Sequence, residues 1–460
     1  MNLAITITLL LVGGYLIVGL LSSRLMKLIR FPNVTGYLLS GILFGPFVLG
    51  AIVDHYLKQS DALGLHVLFG SPLSGATPLY PTLDISWLSG VALAFIAFTI
   101  GQSFDKNALR QTGKRILVTA FTESLGGSLA VLLGLTIAHF IAPNAFPWPI
   151  VLTLSAIASA TAPAATVLVI KQYRAHGKVV DTLLPVVALD DAVALILFAV
   201  FFSIAKAISG GTINVYSLLV VPLMEIFLSL LLGLGLGYLL VGMAHFFKSR
   251  NNRLIWVLAV LLLVAGLSSL TYFPAGNPIH EFSFSPLLVA MMVGAVYCNK
   301  MKDVDRVLER VDGFTPPLFM MFFVISGAQL DVSIYYRDPA LLAMFLPLAV
   351  IYFIMRSAGK YAGAYVGSFA EKDCDPNIRK YLGLMLLPQA GVAIGLATTA
   401  GKELTAMFGG GYTLGDIVVC AILSTTILYN IIGAFLTKQA LIKAGQIDGM
   451  GPNKRKEETL

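Results

Sequence analysis

Residues 182–205 read TLLPVVALDDAVALILFAVFFSIA, an apolar run holding two adjacent carboxylates, Asp190 and Asp191. The run is long enough to cross a bilayer as a helix. An ionised Asp at the centre of such a helix costs roughly 2.5–3.5 kcal/mol on insertion scales. Intramembrane carboxylates are functional by default, and a buried ion pair joining helices is the lesser alternative, open to one of the two even where the other is functional. Neighbouring helical residues point about 100° apart. One acid therefore faces an ion path while the other turns toward a neighbouring helix. A buried carboxyl takes up either a proton or a monovalent cation, and not both at once. That competition suffices for exchange if the site opens to one side of a membrane at a time. Asp191 is the predicted ion and proton site, holding Na+ in one state and H+ in the other, with Asp190 beside it.

The rest of the sequence has the same character. Of 460 residues 57% are hydrophobic and only 12% charged, and the mean hydropathy is +0.85. A water-soluble chain carries about twice that share of charge, so much of this surface faces lipid. Spanning runs are readable at 4–23, 34–53, 87–104, 116–140, 147–170, 182–205, 214–245, 254–271, 284–298, 316–330, 339–368, 380–401 and 414–437. The expected fold is an all-α polytopic membrane protein of about 13 transmembrane helices. Cys298, Cys374 and Cys420 have the spacing of neither a disulfide framework nor a metal site. No cofactor, no resident metal and no catalytic group is expected. The net charge of +7 falls in short clusters between apolar runs, so it points to membrane topology and not to nucleic acid.

Those clusters orient the chain. Arg24, Lys27 and Arg30 follow the first run at once, as a stop-transfer pattern requires, and the first run is not a cleavable signal. Loops after the other odd-numbered runs carry Lys106, Arg110, Lys114, Arg115, Lys171, Arg174, Lys178, Lys248, Arg250, Arg253, Lys300, Lys302, Arg306, Arg310, Lys372, Arg379 and Lys380. The C-terminal segment adds Lys438, Lys443, Lys454, Arg455 and Lys456. The opposite side has only Lys58, Lys206, Arg337 and Lys402. The basic side is cytoplasmic, which puts the N-terminus outside and the C-terminus inside, in a cytoplasmic (inner) membrane.

A linker run at 214–245 separates two six-run units, which then insert with opposite orientation, an inverted repeat. Corresponding runs share a defect. The fifth run contains Ser159-Ala160-Thr161-Ala162-Pro163, and the twelfth contains Leu387-Pro388-Gln389-Ala390-Gly391. Proline removes a donor and clashes with the preceding turn. The free backbone groups of a broken membrane helix are tolerated only inside protein or along a cavity, and paired half-helix ends offer carbonyls to cations. Pro163, Pro388 and Gln389 are the predicted breakers, and Thr161 lies beside the first. Two further polar residues fall in the membrane, Glu123 in the fourth run and Arg356 in the eleventh. A deep Arg needs a partner, for which Asp190 and Glu123 are the candidates. Lys360 lies nearer the cytoplasmic end of its run and is expected to snorkel. Glu225 is expected to make a structural polar contact or to lie near a lipid or dimer surface.

In this order and at these depths, four stretches resemble the sodium/proton exchanger type of the cation:proton antiporter superfamily. They are Phe31-Pro32-Asn33-Val34-Thr35-Gly36 through Gly45-Pro46, then Thr161-Ala162-Pro163, Asp190-Asp191, and Arg356-Ser357-Ala358-Gly359-Lys360. The resemblance spans nearly the whole chain. It implies two crossed discontinuous helices within a membrane transporter unit over 1–437; the segment 438–460 reads as a cytoplasmic tail from its short, charged composition. Within the unit the resemblance implies a core of helices at about 87–205 and 316–437. A dimerisation scaffold at about 4–53 and 214–298 completes it, with elevator-like movement of core against scaffold in a homodimer. It carries Asp191 over as the ion-binding residue, with Asp190 and Thr161 as its supporting shell. Ala162 stands where many relatives have Asp or Ser. Arg356, read as the basic partner of the acids, favours one-for-one exchange. No nucleotide-binding fingerprint follows the membrane part, unlike the potassium efflux relatives that carry a regulatory domain.

The function expected is secondary antiport of a monovalent cation, Na+ first, against protons, with lipid as the surrounding partner. A potassium/proton antiporter and a sodium-coupled solute symporter on the same scaffold are the alternatives. An intramembrane aspartyl protease needs carboxylates facing each other, usually from two helices. The Gly415-Asp416 pair lacks the preceding glycine, since Thr413 stands there.

Overall fold

The structure is a computed structural model. It describes residues 3–29, 31–50, 52, 86–102, 104, 106–209, 221–246, 250–268, 271–272, 282–301, 311, 315–328, 339–370, 374–409 and 412–447. Arg30, Lys58, Lys248, Lys302, Arg306, Arg310, Arg337 and Lys372 of the charge pattern, and residues 448–460 of the predicted tail, lie outside the described residues.

Helices occupy the predicted apolar runs. They are α1 (Leu3–Leu28), α2 (Asn33–Phe44, continued by a π-helical turn at Pro46–Gly50), α3 (Ser86–Gly101), α4 (Lys106–Ile141), α5 (Trp148–Ile157), α6 (Pro163–Tyr173), α7 (Lys178–Ile208), α8 (Val221–Phe246), α9 (Arg250–Ser268), α10 (Pro286–Lys300), α11 (Pro316–Ala328), α12 (Pro339–Gly367), α13 (Pro376–Met385), α14 (Gly391–Glu403) and α15 (Leu414–Lys443). Two short antiparallel ribbons, β1–β2 (Thr271–Tyr272 with Phe282–Ser283) and β3–β4 (Met407–Gly409 with Tyr412–Thr413), lie in loops. Among the described residues seven helical stretches are long and apolar enough to cross a membrane, including Gly113–Ile141, Lys178–Ile208 and Leu414–Lys443. Leucines and isoleucines of α1 (Leu9, Leu10, Ile17, Leu20, Leu21) and Phe227, Leu231 and Tyr238 of α8 are exposed, as suits side chains that meet lipid.

Local chemistry sets the ends that matter. The fifth predicted run is two helices. α5 stops at Ile157, and Pro163 restarts the chain as the first residue of α6, where its missing N–H costs nothing. The twelfth run divides likewise between α13 and α14 around residues 386–390. α15 opens with a capping box in which Thr413 and Asp416 satisfy each other's backbone N–H groups. Asp416 is therefore a helix cap. At its other end α15 runs past the predicted 437 to Lys443, and Lys438 lies buried with its ammonium over the Tyr173 ring at 5.0 Å.

Close helix packing is built on glycine. A Cβ on Gly359 would lie 2.3 Å from the Gly126 carbonyl, and one on Gly363 2.2 Å from that of Thr122, so α4 and α12 touch backbone to backbone. Gly41 and Gly327 do the same for α2 and α11, and Gly101 and Gly294 for α3 and α10. α3 and α11 thus pack mainly on α2, α10 and each other. The buried apolar residues form two clusters. One gathers the first halves of α12 and α15 with α5, α14 and the second half of α7. The other gathers the first half of α7 and the end of α15 with α3, α6, α10, α11 and α13. Between them, at the level of both helix breaks, lie the buried polar residues Glu123, Ser124, Thr161, Asp190, Asp191, Arg356, Lys360, Gln389 and Asn430.

Candidate functional site

The two breaks meet. The Ala162 N–H donates to the Pro388 carbonyl at 2.8 Å, and the Thr166 hydroxyl of α6 to the Met385 carbonyl of α13 at 3.2 Å. The Gln389 amide donates to the Tyr352 hydroxyl at 2.6 Å and the Ile157 carbonyl at 3.4 Å. Asn430 of α15 donates to the Gln389 carbonyl at 2.8 Å. Each segment thereby satisfies backbone groups that the other's interruption sets free.

Arg356 completes that repair. Its Nε donates to Ala158 O at 3.0 Å, its Nη2 to Ala160 O at 2.6 Å and its Nη1 to Leu387 O at 2.8 Å. The planar fork reaches carbonyls of both breaks at once, which a point-charged ammonium does not. It also meets the negative end of the α5 dipole and stacks 4.4 Å from the centroid of the Tyr429 ring. Among the described residues no carboxylate is a hydrogen-bond partner of Arg356. The expected pairing with Asp190 or Glu123 is not formed, because freed carbonyls supply the negative charge.

The acids instead surround Lys360. Its Nζ lies 2.8 Å from Glu123 Oε2, 3.0 Å from Asp190 Oδ2 and 2.6 Å from Thr161 Oγ1, and the side chain is 0% exposed. Its three donors are all used. The snorkelling expected of Lys360 does not occur. The close α4–α12 contact at Gly359 and Gly363 draws the lysine inward, one helical turn from Arg356 on the same face. The Ser124 hydroxyl donates to Asp190 Oδ1 in a very short contact.

Asp191 stands apart from this network. It is 3% exposed, and among the described residues neither carboxylate oxygen has a hydrogen-bond partner. A buried carboxylate without donors is costly and rare.

The family description sodium/hydrogen exchanger, transmembrane, matches residues 12–439. The chain belongs to the sodium/hydrogen exchanger family. The exchanger is also similar to solved structures of the sodium proton antiporter MjNhaP1 from Methanocaldococcus jannaschii. One, determined at pH 8, has TM-score 0.62, with 96% of this chain and 99% of that one covered. An electron-microscopy structure has TM-score 0.67, with 96% and 98% covered. Both are 16% identical in sequence, and the likeness shows a common fold. No curated protein matches the chain.

Of the residues singled out in the exchanger's sequence, Thr161, Asp190 and Glu123 come together on one ammonium. Asp191 lies next to that cluster without joining it. Pro163, Pro388 and Gln389 lie at the breaks, and Arg356 binds both. Lys360 reads from the sequence as a snorkelling residue and not as the partner of the acids, and Ser124 and Tyr429 do not stand out there. For Lys360 a signal existed, since Gly359, Gly363 and Gly367 recur every four residues and mark the face of α12 that approaches a neighbour closely. For Ser124 and Tyr429 no local signal distinguishes them from other polar residues of membrane helices.

Proposed function

We propose that the exchanger is a secondary antiporter that moves a monovalent cation, Na+ first, against protons, with Asp191 as the exchange site. The observation that carries this reading is that, among the described residues, neither oxygen of this buried acid has a hydrogen-bond partner, while Glu123 and Asp190 beside it already share the one ammonium of Lys360. Such an acid needs a cation to neutralise it, and H+ and Na+ compete for the same oxygens. Asp190 and Thr161 support it through Lys360, and Glu123 and Arg356 compensate charge within the core.

Alternating access follows if α4–α7 and α12–α15 move together against the rest. This division puts α3 and α11 with the scaffold, on the strength of their packing, and differs there from the boundaries at 87 and 316 drawn from the sequence. The reading also includes the inverted repeat, an N-terminus outside, an inner-membrane location and a homodimer formed through scaffold helices such as α1 and α8. The base on the acids is Lys360 and not Arg356. This removes the ground for one-for-one exchange. With two acids sharing one ammonium beside Asp191, exchange of more than one proton per cation, and so net charge movement, is part of the proposal.

The test is reconstitution in liposomes with an internal pH dye, an imposed pH gradient and addition of Na+, K+ or Li+. Na+ should dissipate the gradient in wild type and not in Asp191→Asn. Clamping the membrane potential should change the rate. A mutant that exchanges as well as wild type, or no response to any of the cations, overturns the reading.

A further inference from the structure

Helix α7, which carries Asp190 and Asp191, opens without a cap of its own. The residue before it, Gly177, has no side chain to offer the free N–H groups of the first turn. The missing acceptor comes from the far end of the chain. Beyond α15, Gly445 takes φ +68° and the Gln446 N–H returns to the Leu441 carbonyl at 3.0 Å, a Schellman-type reversal. The reversal sets Gln446 against the connection between α6 and α7. Its Oε1 accepts from the Val179 N–H at 3.3 Å, and its main-chain carbonyl accepts from the His176 N–H at 3.0 Å. Ile447 follows and is buried. Gly177 makes the room: its φ is +118°, and a Cβ there would lie 2.4 Å from Gln446 Oε1. A Ser, Asp or Asn at 177 is strained at that φ and collides with Gln446, so a local cap and the distant one exclude each other.

We propose that Gln446 is a positioning residue, the N-cap of the ion-binding helix supplied from beyond the last helix of the same chain. The ends of α7 and α15 then move as one piece, and residues 445–447 fix the depth at which α7 holds Asp191. The cap itself is independent of the antiport reading, and only its effect on transport rests on that reading.

The experiment compares full-length wild type with Gln446→Leu, which keeps bulk and loses the acceptor, and Gln446→Glu, which keeps an acceptor oxygen. Chains truncated after Ile447 and after Gly445 complete the set and serve if Gln446→Leu fails to fold. Amide hydrogen exchange at the first turn of α7, in detergent, reads the cap. Exchange there should rise about fivefold in Gln446→Leu and after truncation at Gly445, matching the loss of a typical cap. It should stay at the wild-type level in Gln446→Glu and after truncation at Ile447. In liposomes the half-saturating Na+ concentration should rise with Gln446→Leu and return with Gln446→Glu. Equal protection in Gln446→Leu and wild type, a Gln446→Glu variant as poor as Gln446→Leu, or loss of protection on truncation after Ile447 overturns the proposal. If no cation drives exchange in wild type, the antiport reading fails, and the amide measurement still decides the cap.

Discussion

Asp191 is defined by what it lacks. Its neighbour Asp190 accepts from Lys360 and Ser124, whereas Asp191 accepts from no described group. The two adjacent acids therefore separate under mutation. Asp191→Asn should abolish exchange without lowering the thermal unfolding temperature, since it removes a charge that the fold leaves uncompensated. Unfolding in detergent alongside flux checks both halves. Lys360 behaves in the opposite way. Lys360→Met leaves Glu123 and Asp190 buried without their cation and should cost about 3–5 kcal/mol. Adding Glu123→Gln should recover part of that loss. A double-mutant cycle in thermal stability measures the recovery, and a strictly additive result would show that the two residues do not interact. Arg356→Lys should cost about 1–3 kcal/mol, because a single nitrogen lacks the spread of the guanidinium fork across carbonyls of both breaks and leaves at least one unmet.

Among the elements, the α4–α12 pair sets the tolerance of the site. The carbonyl of Thr122 sits where a Cβ on Gly363 would go. Gly363→Val should force the helices apart, cost at least about 1–3 kcal/mol and weaken the Glu123–Lys360 contact. Gly266→Ala in α9, where a Cβ meets nothing within 4 Å, should stabilise the fold by about 0.5–1 kcal/mol through helix propensity alone. Comparing the two unfolding midpoints separates close packing from helix propensity. This scale also shows what was legible in sequence. Apolar runs, their breaks at Pro163 and Pro388, and the acids of α7 are local signals, and helices and breaks stand where those signals placed them. The partners of Lys360 and Arg356 are not local. They depend on which helices touch, and the choice between a carboxylate and a freed carbonyl as the mate of Arg356 is decided only once both breaks face it. The far end of α15 was misread as tail from its charge, because Lys438 hides its stem and ammonium against Tyr173.

For the whole molecule, a moving core must break contacts with its scaffold. The Phe31 ring, just before α2, stacks on Phe435 of α15 with centroids 5.0 Å apart, and the Asn33 N–H donates to Gln172 of α6 at 2.8 Å. Phe31→Cys and Phe435→Cys, introduced after replacing Cys298, Cys374 and Cys420, should cross-link with a short thiol-reactive bridge. The bridge should stop exchange, and a bridge cleavable by reductant should allow full recovery. Unimpaired exchange in the cross-linked protein would rule out movement between these two bodies.

The lysine that gathers the acids is 237 residues beyond Glu123 and 170 beyond Asp190 in the chain. A ribosome therefore delivers α4 and α7 to the membrane long before their counter-charge exists. During that interval the acids must wait protonated, hydrated at a helix boundary or held by an insertion factor. Only when α12 arrives does the half-made protein lose its polar burden. A nascent chain arrested before residue 360 should carry the mark that membrane quality control reads, and one arrested just after α12 should not. The order of synthesis is in this way written into the ion pair.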